Sequence, residues 1–206
     1  MVKPHLSPHR TLGLDDDAFE QRRPIKGQIT KREVRAVSLY SLGLHQDSVV
    51  WDVGAGTGSI SVEAALIANR GQVYAIERDT DSLHLLEANI ERWSSGNVNI
   101  VSGEAPAALE DLPSPDSVFI GGSGGHLSEI IKYTASRLKS GGTIIVNLVV
   151  LDHTQEAYRL LKNLGLDSRL TQVTSSRGKD MPDGGMRLES LNPVFIVSGP
   201  VSYTHL

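Results

Sequence analysis

Short apolar runs rich in β-branched residues alternate with stretches of helical period along most of this chain, and that alternation restricts its fold more than any other feature. The runs Ser48–Val53, Gln72–Ile76, Val98–Val101, Ser117–Ile120 and Gly142–Val150 read as buried strands. The stretch from Thr30 to Gly43 reads as a helix, opened by the capping box Thr30-Lys31-Arg32-Glu33 and carrying Val34, Val37 and Leu42 near one stripe. Ile60, Ala64, Ala65 and Ile67 recur at helical spacing after Gly54–Gly58, and Asp79–Trp93 gives another helix. Leu127, Ile130, Ile131 and Leu138 mark a fourth helix, and a fifth spans about Thr154 to Leu164. Strands alternating with helices require a parallel sheet covered on both faces. The end of the chain differs. Asp167–Val173 and Val194–Val197 are strands with no helix between them, so they are predicted to pair antiparallel, with Thr174–Asn192 as an excursion. The expected fold is α/β: a doubly wound, mostly parallel, seven-stranded Rossmann-like sheet closed by a C-terminal antiparallel hairpin.

At 206 residues the chain suits one domain. Residues 1–29, with their prolines and the acidic run Asp15–Asp17, are expected to form an irregular N-terminal arm before a domain at 30–199. Residues 200–206 continue no pattern and are read as a non-native tail. There is no cysteine, which excludes disulfides, thiolate metal sites and a thiol nucleophile. A net charge of −4 disfavours nucleic acid as partner and suits a cytoplasmic protein that handles a small molecule. No apolar run approaches the ~18 residues of a membrane span. The histidines lack H-x-H or H-E-x-x-H spacing, so no protein-bound metal is expected.

The most informative segment is Trp51-Asp52-Val53-Gly54-Ala55-Gly56-Thr57-Gly58, three glycines at alternate positions between a strand and a helix. In an open α/β sheet this is the carboxyl end of the first strand, where the backbone can approach a ligand closely. Glu77 ends the next strand about 20 residues later, where a carboxylate can accept hydrogen bonds from both ribose hydroxyls of a nucleoside. A dinucleotide fingerprint would place glycine or alanine where Ser59 stands. Asp52, just before the loop, suits a cationic ligand better than a diphosphate. An acidic residue, G-x-G-x-G, and an acid after the second strand resemble the class I S-adenosylmethionine methyltransferases. That resemblance gives the glycine loop to the methionine part, Glu77 to the ribose, and Gly103-Glu104-Ala105 to the adenine. A nicotinamide site, or a bare turn with no ligand, is the competing reading.

After the fourth strand, Gly121-Gly122-Ser123-Gly124-Gly125 formally matches the G-x-S-x-G nucleophile elbow. A triad would need an acid and then a histidine downstream, and Asp152 beside His153 is a poor pair for both roles. We therefore read Gly122, Ser123 and Gly124 as a floor of small residues for a flat substrate. Another small-molecule class I methyltransferase, a serine hydrolase at Ser123 and a noncatalytic nucleoside-binding module remain the alternatives. Ser123 and His126 are the candidates nearest the reacting atoms, with no catalytic role assigned to either.

Five segments carry a closer resemblance: Gly13–Phe19, Ile29–Ala36, Trp51–Gly58, Gly121–Gly125 and Leu191–Phe195. Together they look like the decarboxylating precorrin C15-methyltransferases of cobalamin biosynthesis, in the form free of a C5-methyltransferase domain. The resemblance implies a homotetramer that methylates C15 of (cobalt-)precorrin-6B and releases carbon dioxide from the C12 acetate. It also implies that S-adenosylmethionine touches Thr30, Gly54, Ala55, Gly56, Thr57, Gly58, Glu77 and Ala105. Such a tetrapyrrole carries several carboxylates, for which Arg23, Lys26, Arg177, Lys179 and Arg187 are the expected partners.

Overall fold

The five apolar runs become the parallel strands β1 (Val49–Val53), β2 (Gln72–Glu77), β3 (Val98–Ser102), β4 (Ser117–Ile120) and β5 (Thr143–Leu148) in a computed structural model, which describes residues 12–22, 29–94 and 96–201. Next come β6 (Arg169–Val173), β7 (Ser176–Asp180), β8 (Met186–Ser190) and β9 (Val194–Pro200). Seven of these make one sheet in the order β3-β2-β1-β4-β5-β9-β6. As expected, β9 runs antiparallel to β6; it is also antiparallel to β5, between which and β6 it inserts. The chain reverses its direction of travel across the sheet between β1 and β4, which opens a crevice at their carboxyl ends.

Helices α1 (Arg32–Leu42), α2 (Ser59–Ile67), α3 (Thr80–Trp93), α4 (Leu127–Arg137) and α5 (Leu151–Asn163) cover the sheet. The strands alternate by face. Trp51, Val53, Val118, Ile120, Ile144 and Val146 join the core with α4 and α5, whereas Val50, Phe119, Ile145 and Ile196 join the one with α1 and α2. Because both faces are covered, these strands read as continuous apolar runs.

Several expectations need correction. The capping box does not form: Lys31 is the N-cap of α1 and its side chain makes no capping bond. Glu33 is instead taken by Arg32 and by Arg177, from the far end of the chain. Helix α5 begins at Leu151, three residues earlier than expected, so Thr154 lies inside it and its hydroxyl, with no cap to make, bonds back to the Val150 carbonyl at 2.8 Å. The excursion 174–192 is not mere loop: β7 and β8 pair as a separate two-stranded sheet. Pro200, placed with the tail, pairs with Thr143, and Val201 bridges Leu166.

The arm is also more ordered than expected. Residues Asp16–Ala18 form a 3-10 turn, and Leu14, Ala18, Phe19 and Ile29 pack with Val62 of α2. A buried charge cluster fastens this segment. Arg35, fully buried in α1, donates to Glu63 Oε1 at 2.8 Å, to the Thr30 carbonyl at 2.7 Å and to the Leu14 carbonyl. Glu63 in turn accepts the backbone N–H groups of Gly13 and Leu14 at 3.2 and 3.0 Å. Removing one partner would leave a buried charge uncompensated, at a cost of about 3–5 kcal/mol.

Candidate active site

The glycine loop leaves β1 and is pinned at once to its neighbour: the Gly54 and Ala55 N–H groups both donate to the Ile76 carbonyl, at 2.9 and 3.0 Å. Glu77, at the end of β2 and 8% exposed, turns its carboxylate back toward that loop. Its Oε2 accepts the Gly56 N–H at 2.8 Å, and its Oε1 accepts those of Arg78 and Asp79 at 2.9 and 2.8 Å. A carboxylate offers about four lone-pair sites. The cradle therefore fixes the orientation of Glu77 and leaves about one lone-pair site, on Oε2, so room for one ribose hydroxyl and not the expected two, beside a cleft of about 290 Å³. Gly56, Gly103, Glu104 and Ala105 line this smaller cleft with it.

A second cleft of about 850 Å³ lies on the other side of the loop. Phe119, Leu127, Val146 and Leu148 give it apolar walls, and Thr30, Lys31, Asn147, His153 and Asn192 add polar groups. Gly54, Gly121, Gly122 and Ser123 line both clefts. The two glycine loops touch there: a Cβ on Gly54 would lie 2.7 Å from the N, Cα and O atoms of Gly122. The approach requires glycine at 54, whereas a Cβ on Gly122 would lie 3.7 Å from the Gly54 Cα in ordinary contact; this crossing is where contents of the two clefts can meet.

Asp52 reaches the larger cleft from β1. Its Oδ2 accepts the Ser61 hydroxyl of α2, while its Oδ1 is buried with no hydrogen-bond partner. Burial, with some help from the nearby charge of Glu77, pushes this carboxyl up to about 7. The Thr57 hydroxyl is likewise buried without a partner. Of these two groups only Asp52 lines a cleft, and an acid there with an unpartnered oxygen fits a polar, positively charged ligand.

The other expected residues divide. Thr30 and Ala55 line the larger cleft, and Gly124 lines the smaller one. Thr57 and Gly58 support the loop and line neither; Gly58 caps α2 over Leu86. The exposed side chain of Glu104 pairs with Arg78, whose guanidinium lies against Gly124. His126 Nδ1 lies 3.0 Å from Glu129 Oε2, a carboxylate that can only accept, and His126 lines neither cleft. Among the described residues, the Ser123 hydroxyl is bonded to neither His126 nor His153, so the triad geometry of a serine hydrolase is not assembled.

The expected carboxylate partners fare differently from one another. Arg177 is bound to Glu33 and Asp16 and lines neither cleft. Lys179 and Arg187 are exposed beside Glu189 at 3.3 and 4.0 Å, also outside both clefts. Arg23 and Lys26 lie outside the described residues. The sequence reading missed Asn147, Lys31 and Asn192 as cleft residues. Asn147, hydrogen-bonded to Ser38 at 3.0 Å, ends an apolar run at the carboxyl edge of the sheet, and that position was the available signal.

Comparison with known proteins adds the family. Residues 17–195 match a family model described as a precorrin methyltransferase domain. A Salmonella typhimurium protein named cobalt-precorrin-6B C(15)-methyltransferase (decarboxylating) is 38% identical over 179 residues, 86% of this chain and 92% of that one. A Pyrobaculum calidifontis protein, named a probable enzyme of the same kind, is 39% identical over 193 residues, 93% of this chain and 97% of that one. The crystal structure of precorrin-6y C5,15-methyltransferase from Geobacter metallireducens superposes with a TM-score of 0.88 at 41% identity, covering 93% of this chain and all of that one. The chain belongs to the precorrin methyltransferase family.

Proposed function

We propose that the chain is an S-adenosylmethionine-dependent methyltransferase acting on C15 of (cobalt-)precorrin-6B, with decarboxylation of the C12 acetate, in cobalamin biosynthesis. The observation that carries this reading is the meeting of two clefts of unequal size over the Gly54–Gly122 contact. The smaller is built around a carboxylate that the backbone orients and that keeps an acceptor site for a ribose hydroxyl. The larger has apolar walls and small-residue glycines on which a flat macrocycle can lie. The named substrate comes from the relatives.

When bound, S-adenosylmethionine supplies an electrophilic methyl group on a sulfonium. In this proposal Glu77 holds the ribose, Gly103, Glu104 and Ala105 border the adenine, and Gly54, Ala55, Gly56 and Thr30 border the methionine part, with Thr57 and Gly58 shaping the loop. Asp52 faces its positive charge. Gly122, Ser123 and Gly124 set the macrocycle against the loop, so alignment and exclusion of water are the chain's main contributions. Ring π electrons would form the new C15–carbon bond as the methyl–sulfur bond breaks, the pair of that bond leaving on sulfur with S-adenosylhomocysteine. Loss of carbon dioxide leaves the acetate's electron pair to the ring, which offsets the charge brought by the methyl group. No protein nucleophile is needed.

The substrate's carboxylates meet the rim. Lys31 and His153 line the larger cleft, and Arg23 and Lys26 precede its residues Ile29 and Thr30 in sequence. Lys179 and Arg187 stay in the proposal, because exposed pairs such as theirs with Glu189 weigh little against a polyanion. We infer further that the enzyme works in the cytoplasm as a homotetramer. Met186 and Leu188 are 72% and 73% exposed on β8, and a lone two-stranded sheet with apolar exposure needs a partner surface.

The test is transfer of a labelled methyl group from S-adenosylmethionine to cobalt-precorrin-6B, with carbon dioxide captured in the same reaction. The expected result is one carbon dioxide per methyl transferred. Methyl transfer without decarboxylation, or no transfer at all, would contradict the assignment.

A further inference from the structure

Two segments outside the sheet help to wall the larger cleft: Ile29–Lys31 ahead of α1, and Glu189–Asn192 at the base of the β7–β8 hairpin. One side chain joins them. From β7, Arg177 donates through Nε to Glu33 Oε1 at 2.9 Å, and through Nη2 to Glu33 Oε2 at 2.6 Å and Asp16 Oδ2 at 2.8 Å. Glu33 stands in the first turn of α1, next but one to Lys31. Asp16 also accepts the Arg32 N–H at 2.9 Å, so both acceptors are fixed on the α1 side. On the hairpin side, Arg177 is in register with Glu189, and the Leu191 N–H closes the base on the Ser175 carbonyl at 2.9 Å.

These contacts fix a distance and an angle between the two wall segments. A planar fork held by two carboxylates has one orientation, which a lysine's point charge would not impose. The Arg177 hydrogen bonds hold the Glu33 carboxyl down at about 2, so the pair is charged throughout the neutral range. Asp16 is further tied to the buried Arg35, so the anchor does not end at the surface.

We propose that Arg177 is a positioning residue for the substrate side of the larger cleft: its fork sets the hairpin base against the start of α1, and so sets the seat of the macrocycle. It acts through Glu33 and Asp16, not by touching substrate. The proposal rests on the reading of this cleft as the tetrapyrrole side.

The experiment compares wild type, Arg177→Gln and Arg177→Lys, each as the full chain. Steady-state methyl transfer to cobalt-precorrin-6B gives kcat and KM, and calorimetry gives S-adenosylhomocysteine affinity. Arg177→Gln should raise KM about 5–10-fold while kcat and S-adenosylhomocysteine affinity stay within about twofold. Arg177→Lys should fall between wild type and Gln, and carries the test by itself if Gln does not fold. Hydrogen exchange should speed up at 186–192 and stay unchanged at 72–77. An unchanged KM in a folded but less stable variant would overturn the proposal, leaving a merely structural ion pair. So would a fall in kcat at constant KM, or an equal loss of S-adenosylhomocysteine affinity. Wild type that neither binds nor methylates the tetrapyrrole would overturn the functional reading beneath it, a result distinct from all of these.

Discussion

Asp52 shows how one side chain can report on the ligand it faces. It is 1% exposed and lines the larger cleft, with one oxygen on Ser61 and the other buried without a partner. Its carboxyl stays protonated to about 7, whereas in the unfolded chain it ionises near 3.8. The fold therefore binds the extra proton between these values, and this group makes the ligand-free protein less stable as pH rises from about 4 to about 7. The same ionisation should strengthen binding of a cation beside it. S-adenosylhomocysteine, which carries an α-ammonium, should bind more tightly at pH 8 than at pH 6, by several-fold. Asp52→Asn should flatten that dependence, and calorimetry at both pH values checks it. The sequence made Asp52 visible as an acid before a glycine loop. Its unpaired oxygen was not legible there, because it depends on how Ser61 and the sheet surround it.

At the scale of elements, the legible parts are those whose residues are buried on both faces. Val118, Phe119 and Ile120 can only be core, and β4 falls where the apolar run places it. The β7–β8 hairpin was illegible for the opposite reason. Its strands, Ser176–Asp180 and Met186–Ser190, face solvent almost throughout: the first has no apolar residue, and the second alternates only through Met186 and Leu188, too short a pattern to mark a hairpin. The capping box misled because its glutamate has a distant competitor: Glu33 bonds Arg177, a partner no local pattern reveals. For the same reason a cationic loop looked wholly available to substrate carboxylates. The glycine elements yield a contrasting pair of predictions. Gly54→Ala meets Gly122 backbone at 2.7 Å with φ at +74°, so it should separate the loops and weaken S-adenosylhomocysteine binding at least tenfold. Gly43→Ala, at the end of α1 with φ at +62° and open space around it, should lower stability by about 1 kcal/mol and leave binding unchanged. Thermal melts paired with calorimetry distinguish the two.

For the whole molecule, the order of the strands explains why residues far apart in sequence share one site. The reversal between β1 and β4 brings the loops after Val53 and Ile120 side by side, and β2 and β5 add Glu77 and Asn147 at flanking carboxyl ends. Segments outside the sheet, tied together through Arg35, Asp16 and Arg177, complete the larger cleft. The central claim is that the smaller cleft takes the nucleoside of the methyl donor through Glu77 and the larger takes the tetrapyrrole. One measurement bears on it most directly: titration of wild type and Glu77→Ala with S-adenosylhomocysteine, and of both with cobalt-precorrin-6B. Losing a charge-assisted hydrogen bond of about 1.5–3 kcal/mol should weaken S-adenosylhomocysteine at least tenfold in the variant, with its tetrapyrrole affinity unchanged. Equal S-adenosylhomocysteine affinity in the two proteins, or a loss confined to the tetrapyrrole, would contradict the account.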